Sequence, residues 1–172
     1  DILDSFTAKI KGRNFSVVLP EGKDRRIVQT ARKLKDKNIA VPIVLGKPED
    51  IEAAIEKAGA NLDGIKIINT RQSEKIEAYA EKYIEGRDDI SIAIARRMIA
   101  KPLFYGGMMV ACGDADTMVA GAVSATATVI QAGSLTVGLA DGITTPSSFF
   151  IMVIPQFQGR KDKPFVYADC AV

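Results

Sequence analysis

The sequence predicts an α/β protein: a layered, largely parallel sheet flanked by helices, followed by the start of a second domain. Three observations predict it. Short apolar runs at 15–19, 39–45, 65–68 and 118–122 alternate with segments of helical period, as strands linked through helices do. Gly and Pro punctuate the joins at 12, 20–22, 46–48 and 102. From residue 147 the texture changes to two apolar segments around a polar loop, which is hairpin spacing. The expected division is residues 1–145 for the α/β domain and 146–172 for the first strands of a second, truncated one.

Each element has a local reason. Residues 4–11 predict a short amphipathic helix, with Phe6 and Ile10 four apart and Gly12 as its stop. FSVVL at 15–19 is a compact apolar run fit for a buried strand, and 20–22 a turn. Asp24 is placed to cap a helix running through Ile27, Ala31 and Leu34. Residues 39–45 predict a second strand, 49–58 a helix and 65–68 a third strand. Helices are expected over 73–83, with a continuation to Glu85, and over 91–99, bounded by Pro102. A helix over 105–111 crosses Gly106 and Gly107, a pair that weakens it. Residues 118–122 predict a strand and 125–135 a helix. Strands at 147–154 and 164–168 enclose a polar loop at 156–163. An apolar strand so near the end of a chain predicts a fragment whose second domain has barely begun.

Composition narrows the chemistry. Of 172 residues, 47% are hydrophobic, enough for a core and too many for a disordered chain. The net charge is +2, with Lys and Arg interleaved among Asp and Glu, so no nucleic-acid surface is expected. No stretch reaches the roughly 18 apolar residues of a membrane helix. The opening DILDSFTAKIKGRN is charged from its first residue and does not read as a signal peptide. Cys112 and Cys170 lie far apart, fitting a reduced, cytoplasmic protein, and both read as small core residues rather than nucleophiles. Histidine is absent, which removes Ser-His-Asp and Cys-His catalysis and His-based zinc sites. Chemistry must then use carboxylates, Arg and Lys, hydroxyls or backbone amides, and no metal site is expected.

The stretch DADTMVAGAVSATATVIQAG, 114–133, carries no charge after Asp116 and is rich in small residues and hydroxyls. If a strand ends near Ala120 and a helix begins at Ala125, the amides of Ala125, Thr126 and Ala127 point outward as an anion site. Ser124, Thr126 and Thr128 add hydroxyl donors. The same pattern also reads as a helix packed tightly on a sheet, with Ser124 merely its cap. A second candidate lies at 19–26, where Arg25 or Arg26 could meet a phosphate or carboxylate or could simply face solvent. Arg87, in a loop, reads on its own as a surface charge rather than a ligand contact.

VLPEGxDxR at 18–26, PIVLG at 42–46, GDADxMVxGA at 113–122, SFFIM at 148–152 and ADCAV at 168–172 stand in order along the chain. Together they resemble the phosphate acetyl/butyryltransferase family. The resemblance implies an isocitrate/isopropylmalate-dehydrogenase-like α/β fold with the site in a cleft between domains. It implies reversible transfer of an acyl group, acetyl most commonly, between acyl phosphate and coenzyme A. Coenzyme A is then a substrate, and no cofactor is needed. It implies that Ser124, Thr126, Thr128, Arg87 and Gln131 bind phosphate and that Arg26 binds coenzyme A. Two positions depart from the family motif: Ser124 stands where His is usual, and Gln131 where an Arg usually clamps the phosphate. Family members run to about twice this length and are commonly dimers. Their Asn-Asp-Leu-Ser-Arg-Gly segment, with the base for the thiol and the transition-state Arg, is not among these residues. The resemblance therefore leaves the catalytic residues unassigned and implies a chain inactive alone. Two alternatives stay open: an inactive module that senses acetyl-CoA, and a butyryl-type transferase.

Overall fold

A computed structural model describes residues 2–169, so Cys170 and the last two residues of the closing ADCAV motif lie outside the described residues. The chain forms two compact units, one of residues 11–138 and one of residues 2–10 with 139–169.

In the larger unit, strand β1 (Ser16–Leu19) is followed by helix α2 (Arg25–Asp36), β2 (Val41–Leu45), α3 (Pro48–Ala58) and β3 (Lys66–Ile68). Helices α4 (Ile76–Ile84), α5 (Ile92–Ile99) and α6 (Pro102–Ala111) lead to β4 (Thr117–Met118) and α7 (Thr126–Thr136). The strands form one parallel sheet in the order β3-β2-β1-β4. The chain moves outward from β1 to β3 and then returns to the other side of β1. The gap between β1 and β4 is thus a topological switch point, where sheets of this kind bind ligands at the carboxyl ends of their strands.

Strand period sorts the core into two layers. Val17, Leu19 and Val44 face one way, onto Ile27, Val28 and Ala31 of α2 and Ile51 and Ala54 of α3. Val18, Ile43 and Leu45 face the other way, onto residues of α4, α5 and α6 such as Tyr79, Ile99, Tyr105 and Met108. Because both faces are covered, these strands are apolar throughout rather than alternating. Asp24 caps α2 as expected, accepting from the Arg26 amide at 2.8 Å.

Three expectations are corrected in the larger unit. The strand expected over 118–122 is confined to Thr117–Met118. Beyond it Gly121 takes a φ of 107° and the backbone turns its amides inward, as described below. The glycines of α6 do not merely weaken it. A Cβ at Gly106 would lie 2.9 Å from Met118 Sδ, and one at Gly107 would lie 2.0 Å from Thr136 Oγ1. The pair lets α6 approach the sheet and α7 more closely than any side chain would permit. Cys112 is exposed at the end of α6 rather than in the core.

The smaller unit holds α1 (Ile2–Ile10) and the hairpin of β5 (Phe149–Phe157) and β6 (Arg160–Ala168). The loop expected over 156–163 shrinks to Gln158 and Gly159, with φ of 48° and 74°. Two left-handed residues in a row are what a tight hairpin demands. The polar residues around them belong to exposed strand ends, so polarity there marks solvation rather than a loop. Phe6 and Ile10 are not buried in α1. Among the described residues no helix is long and apolar enough to cross a membrane.

Candidate functional site

The site is built on Glu21, immediately after β1. Only 5% of this residue is exposed. Its Oε2 accepts the amides of Gly121 at 2.9 Å and Ala122 at 2.8 Å, and its Oε1 those of Val123 at 3.0 Å and Ser124 at 2.7 Å. Burial pushes the carboxyl up. Bonds from the Ser124 hydroxyl and amide and from the Ala122 and Val123 amides outweigh it, holding Glu21 below the usual carboxylate range. The turn after β4 is an anion nest on the amides of 121–124, ahead of the expected amides of Ala125, Thr126 and Ala127, and its anion comes from the protein itself. Ser124 consequently does not cap α7: the N-cap is Ala125, with no side-chain bond. The helical ladder starts with Thr128 and Val129 donating to the Ala125 carbonyl, so the Thr126 and Ala127 amides stand ahead of it.

Beside this turn lies a cleft of about 900 Å³ at the carboxyl ends of β1, β2 and β3. One wall is a face of α7 and the turn before it: Ser124, Thr128, Gln131 and Leu135. Their spacing of four, three and four puts them on one stripe. The cleft also holds Lys23, Lys47, Arg71, Arg97 and Lys101 against the acids Glu21 and Asp50. With Glu21 spent on amides, the balance is cationic.

The structure thus brings Ser124, Thr128 and Gln131 together and leaves three expected residues outside their cleft. Thr126 is exposed on α7 and does not line it. Arg26 is tied to Asp24, with Nε at 2.9 Å and Nη2 at 2.8 Å, and donates to the Ala122 carbonyl at 2.6 Å. That pair holds Asp24 at about 2, through the side-chain and backbone bonds from Arg26. Arg87 sits at the other end of α7. It donates to the carbonyls of Tyr83 and, at 2.9 Å, Leu135, and its guanidinium lies 4.1 Å from the Tyr83 ring centroid. Both arginines brace the elements that carry the cleft.

Sequence reasoning missed Glu21 and the cleft cations Arg71, Arg97 and Lys101. A Glu in the turn directly after an apolar run is the one signal the sequence offers for it. The cations come from separate turns and helices and share no motif. A smaller cavity, of about 280 Å³, lies beside Lys75, Tyr79, Tyr105 and Asp114. There Asp114 already accepts from Lys75 and Tyr79, and Ser73 and Tyr105 pair with each other, so its polar groups serve one another.

Comparison with known proteins agrees with the fold. The profile of the family "Phosphate acetyl/butaryl transferase" matches residues 1–172. The chain is similar to the phosphate acetyltransferase of Acetivibrio thermocellus, 36% identical over 172 residues, covering 99% of this chain and 51% of that one. It is similar to that of Thermoanaerobacterium thermosaccharolyticum, 35% identical over 173 residues, covering 99% and 52%. Among solved structures, a phosphotransacetylase from Streptococcus pyogenes superposes with a TM-score of 0.89 at 29% identity, over 99% of this chain and 51% of that one. The EutD phosphotransacetylase from Staphylococcus aureus gives 0.87 at 26%, over 100% and 51%. The chain spans about half the length of these relatives. From residue 1 to residue 172, it belongs to the phosphate acetyl/butaryl transferase family.

Proposed function

We propose that this chain is the N-terminal portion of a phosphate acetyltransferase, moving an acetyl group between acetyl phosphate and coenzyme A. The observation that carries the reading is the cationic cleft at the strand ends, walled by the Ser124 and Thr128 hydroxyls, in a chain that matches the family throughout. The thiolate sulfur attacks the carbonyl carbon of acetyl phosphate. A carbon–sulfur bond forms, the bond from that carbon to the phosphate oxygen breaks, and phosphate leaves with the electron pair. Thr128 and Gln131 face the phosphoryl oxygens as donors, Ser124 lines the same wall with its own hydroxyl and amide given to Glu21, and the cations of the cleft offset the phosphoryl charge. Thr126, beside the free amides at the start of α7, flanks this group. Arg87 and Arg26 act as positioning residues, the first on α7 and the second on the turn at 121–124 and the coenzyme side of it. The reaction calls for no metal or redox cofactor. A cytoplasmic setting and a homodimer of the full-length protein belong to the same reading.

Thiol activation needs a base, and the tetrahedral oxyanion needs fixed donors. The resemblance puts these in a second half beyond these 172 residues. The chain alone is therefore expected to form no thioester from acetyl phosphate and coenzyme A, followed by thioester absorbance. Fused to the second half of the Acetivibrio thermocellus enzyme, it is expected to turn over. Turnover by the 172 residues alone would overturn the division of labour. A well-folded but dead fusion would overturn the transferase reading. The neutral Gln131 favours one second reading, an acetyl-CoA-sensing module. That reading predicts calorimetric binding of acetyl-CoA by the dead fusion.

A further inference from the structure

We propose that Arg71, Arg97 and Lys101 form the anion-binding wall of the cleft and take the phosphate charge that α7, neutral at Gln131, cannot. The inference rests on the transferase reading for its choice of ligands, not for the wall itself. The α7 stripe of Ser124, Thr128, Gln131 and Leu135 carries no charge. The charge in the same cleft comes from three other places: the turn after β3, the end of α5 and the start of α6.

Their meeting is built into the fold. Thr70, 2% exposed, donates its hydroxyl to the Ala100 carbonyl at 2.7 Å. That bond pins the residue before Arg71 to the residue before Lys101. Along α5 the neighbouring guanidiniums have different duties. Arg96 pairs with Glu77, Nε to Oε2 at 2.6 Å, while Arg97 lines the cleft. Lys101 is the N-cap residue of α6, whose first turn contains no acid and begins with Pro102. An ammonium at the positive end of a helix is electrostatically unfavourable. Among the described residues no ion pair engages Arg71, Arg97 or Lys101. Three cations and a helix N-terminus thus converge on one cleft with no ion pair to any of the three, whereas of the two acids in the same lining Glu21 is held by the nest at 121–124 and Asp50 stands alone against five cations. An oxyanion is the ligand that relieves this, and a phosphate offers several acceptor oxygens to two guanidiniums and an ammonium at once.

The phosphate has two possible sources, acyl phosphate or the phosphates of coenzyme A. Calorimetry of the 172-residue chain with inorganic phosphate, acetyl phosphate, coenzyme A and phosphate-free pantetheine separates them. Arg97→Gln with Lys101→Gln is expected to weaken the phosphate-bearing probe at least tenfold, to flatten its dependence on ionic strength and to leave pantetheine unchanged. Arg71→Gln is expected to act in the same direction. The exposed, off-cleft Arg25→Gln serves as the control for net charge. A loss confined to acetyl phosphate assigns the wall to the acyl phosphate, and one confined to coenzyme A assigns it to the nucleotide end. Wild-type affinity in the double variant, or no binding of any phosphate-bearing probe by the wild type, would overturn the wall. Arg97-dependent binding of inorganic phosphate, with neither acetyl phosphate nor coenzyme A bound, would instead overturn the transferase reading and leave the wall standing.

Discussion

Glu21 carries the clearest residue-scale consequence. A Gln at this position keeps the shape but turns an amide donor toward four backbone amides that now bond to a carboxylate. Glu21→Gln is expected to cost about 1–3 kcal/mol, the range for a buried hydrogen-bonding group left unpaired. The pH dependence follows from the sign of the shift. Folding holds the Glu21 carboxyl below its usual 4.5, so its contribution is full above that value. The contribution is lost as pH falls through the folded value. Urea unfolding of both proteins from pH 7 to pH 3 should show a gap that closes on the acid side. A gap of constant size would refute the ionised nest. The Asp24–Arg26 pair makes a second prediction. Asp24 should titrate at about 2 by NMR, and Arg26→Ala should move it toward the ordinary aspartate value of about 3.9. An unmoved titration would mean that the Arg26 amide at the cap, rather than the guanidinium, sets it.

Elements are joined here by close approach and by one staple. Gly107→Ala would press a methyl against Thr136 on α7. The expected loss is about 1–3 kcal/mol, as for overpacking elsewhere. Thr136→Ala in the same chain removes the hydroxyl and should return part of it. The test is a double-mutant cycle by denaturant unfolding, and strict additivity would sink the contact. Arg87→Gln should lower stability by about 1–2 kcal/mol through the lost carbonyl bonds and ring contact. Arg87→Lys should rescue little of it, because an ammonium lacks the planar fork that reaches Tyr83 and Leu135 together. Full rescue by Lys would point to charge alone.

At the scale of the molecule, the two units differ in what they bury. The sheet of the larger unit is covered on both faces, and Val18, Leu45 and Val44 are at most 1% exposed. The hairpin leaves Phe149 at 66% and Val166 at 70% exposed. A two-stranded ribbon is marginal in water unless something packs on it. Amide hydrogen exchange of the 172-residue chain should therefore be slow in β1 and β2, and much faster in β5 and β6. Equal protection in the hairpin would show that it belongs to the same cooperative unit as the sheet.

The sequence by itself determined most of the elements and the class of fold. Alternating apolar runs, the Asp24 cap and the Gly and Pro punctuation act over a few residues, and those signals survive in any tertiary setting. It also pointed to an anion at the amides of Ala125, Thr126 and Ala127, because small residues and a helix start are local properties, while the nest that holds one lies just before them, at 121–124. Tertiary structure alone decided which anion. Glu21 lies 100 residues from Gly121, and no local rule pairs them. The same holds for Gly106 and Gly107, read locally as a weakness and spent on packing, and for Gln158 and Gly159, whose turn shows only when both strands are in register. Arg71, Arg97 and Lys101 share no spacing, because a cleft at the ends of parallel strands gathers its charges from separate crossovers. Short-range propensity writes the elements, and long-range packing chooses which side chains meet.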